Sequence, residues 1–200
     1  MKPLAAPDIP DPDFSILEKS SCLDHYVNRP EWISTYSIDH KISDKAGTTI
    51  ITTKGCVARC TFCHRFEKGY RLSPLDSIVN HLKMLKEKYN VKYLLIGDEN
   101  FGSYKEETIK LVKEMGSLGF IWRAGGVRAH TVDLETLKFW KKNGCINATY
   151  GIESGSPTML KVMEKKISLE QNIKDLNFIN RTTKAVYALG SVFKTFTIVA

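Results

Sequence analysis

The chain has 200 residues, of which 42% are hydrophobic and 26% are charged, the composition of a globular protein with a single core. Collagen, coiled coils and wholesale disorder are excluded, and no apolar run approaches the roughly 18 residues that a membrane-spanning helix needs. The net charge of +7, from 29 Lys and Arg against 22 Asp and Glu, suits acidic partners, although no arginine-rich arm points to a nucleic acid. The amino terminus has no apolar signal segment, so a cytoplasmic location is expected.

The first 47 residues differ in pattern from the rest of the chain. Four prolines among the first 12 residues predict an extended arm or linker over residues 1–47. From residue 48 onward, strand patterns alternate with amphipathic helix patterns about five times. The predicted strands cover residues 48–53, 92–97, 120–124, 145–152 and 185–190. The predicted helices begin at Ser73, Ser103, Asp133, Ser156 and Ser168, and the four serines are predicted to cap them.

This alternation predicts parallel strands joined by right-handed helical crossovers. The alternatives are a barrel-like sheet and an open, doubly wound sheet. No glycine-rich phosphate loop follows the first strand, which counts against the nucleotide-binding open sheets. The sequence stops inside an apolar run, Thr197–Ala200, so the last strands of the domain are expected to be missing.

The cysteine pattern is the most informative feature of the sequence. Cys56, Cys60 and Cys63 form a C-x3-C-x2-C loop directly after the first predicted strand. Three thiolates on one loop suit three corners of a [4Fe–4S] cube and leave one iron open. The total of five cysteines is odd, which argues against a framework of disulfides.

Residues outside the loop are considered as a fourth ligand beside the three loop cysteines. Cys145 precedes the fourth predicted strand, roughly 17–20 Å from the loop at the opposite end of a parallel sheet, so we expect an ordinary buried cysteine there. Cys22, in the arm, stays a candidate. The alternative is a structural zinc site formed by the loop cysteines with His64 or another histidine, although adjacent side chains such as Cys63 and His64 rarely converge on one tetrahedral ion.

The cysteine loop resembles the signature of the radical S-adenosylmethionine (radical SAM) superfamily, which is C-x3-C-x-aromatic-C after the first strand of a partial (βα)6 barrel. Phe62 fills the aromatic position. Gly97-Asp98-Glu99, which ends the second predicted strand, resembles the glycine-glycine-glutamate motif of that family, with Asp98 in place of the second glycine. Residues 98–101 also resemble the D-[DE]-x-F variant of its cobalamin-associated branch.

A second stretch resembles the same branch. Residues 151–156, at the end of the fourth predicted strand, spell G-I-E-S-G-S. They are followed, as in the G-I-E-S-G-S…L…M-x-K stretch of that branch, by Leu160, Met163 and Lys165 or Lys166. The whole resemblance covers roughly residues 48–180.

The chain departs from the family in two places. Residues 190–195 lack the glycine-proline-glycine-glutamate type of turn, and residues 1–47 are too few for a cobalamin-binding domain, so cobalamin would need a domain that this sequence lacks. The resemblance implies an α/β fold over residues 48–200. This fold would be a partial, TIM-like (βα)6 barrel with roughly the first five strands, incomplete at its carboxyl end.

The resemblance also implies cofactors and a reaction. Cys56, Cys60 and Cys63 would bind three irons of a [4Fe–4S] cluster, and S-adenosylmethionine would chelate the fourth. One electron from a donor such as flavodoxin or ferredoxin would cleave its sulfonium C–S bond. The resulting 5′-deoxyadenosyl radical would abstract hydrogen from a small-molecule substrate, for methyl transfer or C–H functionalisation. The alternatives are a radical SAM methylthiotransferase acting on tRNA and a zinc-stabilised binding module without catalysis.

The motifs are predicted to lie at the carboxyl ends of the strands, where barrel enzymes place their active sites. Gly97 would permit close backbone approach, and Asp98 or Glu99 could accept hydrogen bonds from the ammonium group of S-adenosylmethionine. Arg123, predicted to end the third strand, could pair with its carboxylate. The alternatives are a plain turn at Asp98 and Glu99, and a surface ion pair at Arg123.

The remaining predicted contacts involve the nucleoside. Phe62 could lie beside the adenine, and Glu153, followed by Ser154, could accept hydrogen bonds from the ribose hydroxyls. The alternative for Glu153 is a carboxylate that caps a helix amino terminus.

Overall fold

The computed structural model describes residues 15–20, 27, 46–64, 69–128 and 130–173. The strands are β1 (Gly47–Ile50), β2 (Thr53–Gly55), β3 (Tyr70–Leu72), β4 (Tyr93–Ile96), β5 (Ile121–Arg128) and β6 (Cys145–Gly151). The helices are α1 (Ser15–Lys19), α2 (Leu75–Tyr89), α3 (Lys105–Ser117), α4 (Leu134–Lys142) and α5 (Pro157–Val162), and residues 169–173 are also helical. Cys22, the predicted strand at 185–190 and most of the predicted arm lie outside the described residues. Within these ranges, no helix has the length and apolarity to cross a bilayer.

Four strands form a parallel sheet in the order β1-β4-β5-β6. Successive side chains of a strand face opposite sides of a sheet. Leu94 and Trp122 accordingly pack into the main core, whereas Tyr93 and Leu95 belong to a small cluster on the other face. The crossover helices α2, α3 and α4 contribute to the main core Leu82, Leu85, Val112, Met115 and Trp140. Because these helices share one face, as in a barrel, the predicted α/β partial barrel is confirmed.

Three buried aromatic rings connect the sheet, α4 and the loop after β4. The Phe101 ring lies 5.8 Å from the Trp122 ring and 5.1 Å from the Trp140 ring, centre to centre. The indole nitrogen of Trp122 donates a hydrogen bond of 2.8 Å to the carbonyl of Asn143. Phe101 is 1% exposed. It therefore anchors in the core the loop that also carries Asp98 and Glu99.

The first predicted strand is divided in the structure. β1 ends at Ile50, and after two residues the chain enters β2, which pairs antiparallel with β3. The division occurs because the Asp98 carboxylate accepts the backbone N–H groups of Thr52 and Thr53, which takes this segment away from the parallel ladder. The β-branched run at 48–53 predicted one continuous strand, and that prediction is wrong. The cysteine loop therefore lies between the two strands of a small hairpin.

The predicted helix caps have mixed outcomes. Ser156 and Ser168 act as predicted, since their hydroxyls accept the backbone N–H groups of Met159 and Gln171. The caps predicted at Ser73 and Ser103 are wrong: the helices begin two residues later, without a side-chain cap. Ser103 instead donates its hydroxyl to Asn100, and the backbone N–H of Ser73 donates to Thr52.

Asp133 begins α4, and its replacement by alanine is expected to destabilise the protein by about 1 kcal/mol at pH 7, the usual cost of a lost cap. Its carboxylate accepts hydrogen bonds from Lys105 (2.7 Å) and from the side chain and backbone of Thr136 (2.6 and 2.8 Å), which hold its pKa well below the usual range. Because the pKa of Asp133 is lower in the folded than in the unfolded protein, its ionised carboxylate stabilises the fold at every pH above the unfolded-state pKa. This stabilisation is lost as the pH falls towards the folded-state pKa.

Urea unfolding of the wild type and of Asp133→Ala at pH 7, 5 and 3 measures this contribution. The difference between the two proteins should be full at pH 7 and 5 and should shrink at pH 3. Glu135→Ala is the control in the same helix turn, because it removes an exposed ion pair with Lys138 and a first-turn charge but no cap, and should cost clearly less than Asp133→Ala. Equal midpoints for the wild type and Asp133→Ala at pH 7 would contradict the prediction.

Candidate cofactor site

The cysteine loop begins directly after β2, which ends at Gly55. Cys56 and Cys60 are half-buried and Cys63 is exposed, and none of the three forms a disulfide. The backbone N–H of Ala58 donates a hydrogen bond to the sulfur of Cys56 at 3.4 Å, which ties this thiol to its own loop. Three solvent-accessible thiols within one short loop are therefore available to a ligand.

This donor set fits a [4Fe–4S] cluster that has three protein ligands. Thiolates are the protein ligands of such clusters, and each binds a different iron, so the sulfurs need not converge on one point. In the described ranges, no three His, Cys, Asp or Glu side chains are grouped as a site for one metal ion. The three thiols are thus too far apart to bind one metal ion together, but each could bind a separate iron of a cluster.

Cys145 is the first residue of β6, so it lies at the opposite end of the parallel sheet from the cysteine loop. It is paired with Trp122, near the amino-terminal end of β5, whereas the cysteine loop lies beyond the carboxyl end of β1. Its thiol contacts the carbonyl of Asn147 at 3.4 Å, and burial raises its pKa to about 12. Cys145 thus lies away from the loop, as predicted, but it is half-buried where a buried cysteine was expected.

Asp98 and Glu99, at the end of β4, have different environments. Asp98 is 3% exposed, and its two carboxylate oxygens accept the backbone N–H and the hydroxyl of Thr52 at 2.6 and 2.5 Å. Burial raises the pKa of Asp98, and the hydrogen bonds from Thr52 and Thr53 oppose that rise. Glu99 and Gly97 are exposed. Asp98 thus connects the end of β4 to the segment that enters the cysteine loop, and Glu99 is the carboxylate that faces solvent.

The G-I-E-S-G-S stretch forms a tight turn after β6. The backbone N–H of Ser154 donates to the carbonyl of Ile152 at 2.8 Å, and Glu153 between them has φ = +66°. The Ser154 hydroxyl accepts the N–H of Ser156 at 3.1 Å, and the Ser154 carbonyl accepts from the Asn172 amide at 3.2 Å. These bonds hold Glu153 at the carboxyl end of the sheet.

The cysteine loop and the G-I-E-S-G-S stretch meet at the end of α5. The backbone N–H of Thr61 donates to the carbonyl of Met163 at 3.0 Å, and the Thr61 hydroxyl donates to the carbonyl of Val162 at 3.3 Å. Lys165 Nζ lies 3.2 Å from Glu153 Oε1 and 5.9 Å from the centre of the Phe62 ring. The structure thus brings together the predicted residues Phe62 and Glu153.

The sequence profile of the radical SAM superfamily matches residues 50–186. The chain belongs to the radical SAM superfamily. This confirms the predicted family and, with it, the prediction of an enzyme. The match includes the cysteine loop, the end of β4 and the G-I-E-S-G-S stretch.

Two relatives of this radical SAM chain are methyltransferases by name. The chain is 29% identical over 148 residues to an uncharacterized methyltransferase from Pyrococcus horikoshii, a match that covers 71% of this chain and 31% of that protein. It is 26% identical over 154 residues to cytidylyl-2-hydroxyethylphosphonate methyltransferase from Streptomyces wedmorensis, covering 74% and 29%. The chain therefore spans about a third of the length of these relatives.

A solved structure shares the fold. It is that of TsrM, a radical S-adenosylmethionine methyltransferase from Kitasatospora setae, with cobalamin and a [4Fe–4S] cluster bound. The TM-score is 0.59 at 16% identity, and the match covers 78% of this chain and 35% of that one. At this identity, the likeness establishes the fold alone.

In this radical SAM chain, Arg123 does not end its strand, although the sequence predicted that it would. It is the third residue of an eight-residue strand, not the last residue of a short one, because β5 continues to Arg128. Its guanidinium donates to the Thr149 hydroxyl at 3.2 Å. The residue that does end the strand, Arg128, donates to the carbonyl of Lys165 at 2.9 Å.

A glycine pair in β5 is a site feature that the sequence reasoning missed. The register with β6 shifts between Ala124 and Val127, and Gly126 has φ = +60°. A Cβ at Gly126 would lie 2.3 Å from the carbonyl oxygen of Asp98 and 2.9 Å from the carbonyl carbon of Glu99. The available signal was two adjacent glycines inside a strand pattern, which is typical of a bulge or of close backbone approach.

Proposed function

We propose that this chain is the cofactor-binding part of a radical SAM enzyme, in which Cys56, Cys60 and Cys63 hold a [4Fe–4S] cluster beside a site for S-adenosylmethionine. The observation that carries the proposal is the pair of hydrogen bonds from Thr61 to the end of α5. They connect two motifs about a hundred residues apart in the sequence. When bound, the cluster and S-adenosylmethionine supply a carbon-centred radical by one-electron cleavage of the sulfonium C–S bond.

The end of β4 is proposed to bind the amino group of S-adenosylmethionine. The Glu99 carboxylate faces solvent and can accept hydrogen bonds from an ammonium group. Asp98 supports this site indirectly, since both of its oxygens are bonded to the segment that leads into the cysteine loop. Gly97 is exposed, but an added Cβ there would lie 2.9 Å from side-chain atoms of Thr49 and Ile51, so its lack of a side chain lets β4 end close against the neighbouring strand, and a ligand would reach its backbone beside these two side chains.

The turn after β6 is proposed to bind the nucleoside. Glu153 is held at the carboxyl end of the sheet and can accept hydrogen bonds from ribose hydroxyls, and Ser154 fixes the turn through its hydroxyl. Phe62, 51% exposed, offers a ring face for the adenine. Arg123 is proposed to bind the carboxylate of the ligand. The support for this role is that Arg123 is paired with Leu95, on the face of the sheet opposite the helices.

The proposed reaction is methyl transfer or another C–H functionalisation of a small molecule. Methyl transfer is favoured because two relatives are methyltransferases by name. Cobalamin is proposed to participate only through a domain outside this chain, because residues 98–101 and 151–156 resemble the cobalamin-associated branch of the family. A net charge of +7 suits an acidic electron donor such as flavodoxin or ferredoxin. We propose a cytoplasmic location.

Anaerobic reconstitution with iron and sulfide, followed by EPR of the dithionite-reduced protein, tests this function. We expect about four irons and four sulfides per chain and a reduced-cluster signal that changes when S-adenosylmethionine is added. Retention of one zinc with no sulfide would contradict the proposal and favour a zinc-stabilised binding module. A cluster whose signal ignores S-adenosylmethionine would contradict the proposed site on this chain.

A further inference from the structure

The turn that follows α5 contains a buried lysine. Lys165 is 5% exposed, whereas its neighbour Lys166 is exposed, which distinguishes the two lysines of the motif. The backbone N–H of Lys165 donates to Leu160 at 3.1 Å, and its carbonyl accepts from Arg128 at 2.9 Å. Because these partners belong to α5 and β5, two elements together fix the position of Lys165.

The Lys165 ammonium group lies between the two motifs. Its nitrogen is 3.2 Å from Glu153 Oε1, and the two side chains are 6% and 17% exposed, so solvent screens this ion pair weakly. The same nitrogen is 5.9 Å from the centre of the Phe62 ring, within the range of a cation–π interaction. Phe62 lies between Cys60 and Cys63 in the sequence. One cation thus contacts both the turn after β6 and the cysteine loop.

The end of β6 is shaped around this ion pair. A Cβ at Gly151 would lie 2.9 Å from Glu153 Oε1 and 3.1 Å from Lys165 Nζ, so a side chain there would crowd both groups. Glu153 occupies the left-handed region at φ = +66°, which is unfavourable for a residue with a side chain. The strained backbone and the absent side chain together direct the Glu153 carboxylate to the lysine.

We propose that Lys165 is a positioning residue that holds the Glu153 carboxylate and the Phe62 ring in one arrangement, and thereby sets the affinity for S-adenosylmethionine. Lys165 acts through these two residues and need not touch the ligand. The identity of the ligand rests on the proposed function. The effect of Lys165 on the cysteine loop does not, since that contact exists within the chain itself.

The first test uses the cluster-free full chain. Alkylation by iodoacetamide under reducing, anaerobic conditions is followed for each cysteine by mass spectrometry. Lys165→Met should raise the rate at the half-buried Cys60 on the order of fivefold, because the loop opens more often when one of its contacts is lost. Cys145 is the internal reference. Lys166→Met, the matched control on the exposed neighbour, should leave the rates unchanged, and Lys165→Arg should restore most of the protection.

The second test measures the dissociation constant for S-adenosylmethionine on the reconstituted protein. Lys165→Met should weaken binding on the order of tenfold, the size expected when one charge-assisted contact is lost. Lys165→Met removes the cation of the ion pair but keeps the Glu153 carboxylate. The double variant Glu153→Gln, Lys165→Met removes both charges. The double variant should lose less affinity than the sum of the two single losses, because both changes remove the same ion pair, while the contact with Phe62 is lost only with Lys165.

The outcomes separate this proposal from the proposed function. Unchanged alkylation rates in Lys165→Met, no recovery in Lys165→Arg, or fully additive losses of affinity would each overturn the role of Lys165. If the wild type bound no S-adenosylmethionine, the proposed function and the ligand part of this proposal would both fall. The alkylation rates would then still decide whether Lys165 holds the cysteine loop.

Discussion

Alanine in place of Cys60 is expected to abolish assembly of a stable [4Fe–4S] cluster, with loss of essentially all reconstituted iron and sulfide and of the reduced EPR signal. The reason is the small number of ligands. The loop supplies three thiols, Cys56, Cys60 and Cys63, and in the proposed site the open iron is reserved for S-adenosylmethionine. With two thiols, a second iron would have no protein ligand.

Cys145→Ala is the matched control for this experiment. It removes the half-buried cysteine that begins β6, whose thiol contacts the carbonyl of Asn147 away from the loop, so the metal content should match that of the wild type. Iron and sulfide analysis together with EPR of the three proteins gives the comparison. If Cys60→Ala kept four irons and its signal, or if Cys145→Ala lost them, the assignment of the loop as the ligand set would be wrong.

The alternation of strands and helices could be predicted because each element buries a face with its own period. In β4, Leu94 and Ile96 are completely buried on one side, and in α2 the buried residues Ile78, Leu82 and Leu85 recur at helical spacing. Such patterns are local and visible in a single sequence. They also explain why parallel strands with helical crossovers were predicted correctly over the described part of the chain, whereas the choice of a barrel over an open sheet came from the family resemblance.

The interruption between β1 and β2 could not be predicted, because its cause is a residue distant in sequence. The run of threonines and isoleucines favours a strand throughout, but Asp98, 46 residues after Thr52, competes for its backbone N–H. The wrong capping predictions at Ser73 and Ser103 have a similar origin, since other groups bind these serines. At Thr52 and Ser73 the partners are brought close only by the fold, whereas the partner of Ser103 is Asn100, three residues earlier in the same loop.

The candidate site shows the same division. The cysteine spacing and the residues after β4 and β6 carry a family signature that a sequence can display. The contacts that join those motifs, from Thr61 to Met163 and from Lys165 to Glu153 and Phe62, depend on how α5 returns to the cysteine loop. The sequence left open whether Lys165 or Lys166 matters, and burial distinguishes them. The roles of the individual residues toward S-adenosylmethionine stay predictions.

Alanine in place of Gly126 is expected to destabilise the protein by about 3 kcal/mol or more and to weaken the binding of S-adenosylmethionine. The residue has φ = +60°, which alone costs a residue with a side chain about 1 kcal/mol. The added Cβ would also lie 2.3 Å from the carbonyl oxygen of Asp98, a contact with backbone that no rotamer change relieves. Either β5 or the end of β4 must move, and movement of β4 displaces Glu99.

Gly119→Ala separates the two causes, because Gly119 also has a positive φ, +75°, but nothing lies within 4 Å of its added Cβ. It should lose only about 1 kcal/mol, from backbone strain. Urea unfolding of both variants measures the difference, and the affinity of the reconstituted proteins for S-adenosylmethionine should fall in Gly126→Ala alone. Equal losses of stability would mean that the approach of β5 to Asp98 is not as close as described. If Gly126→Ala lost stability but kept its affinity for S-adenosylmethionine, the end of β4 would not be part of the ligand site, contrary to the proposal.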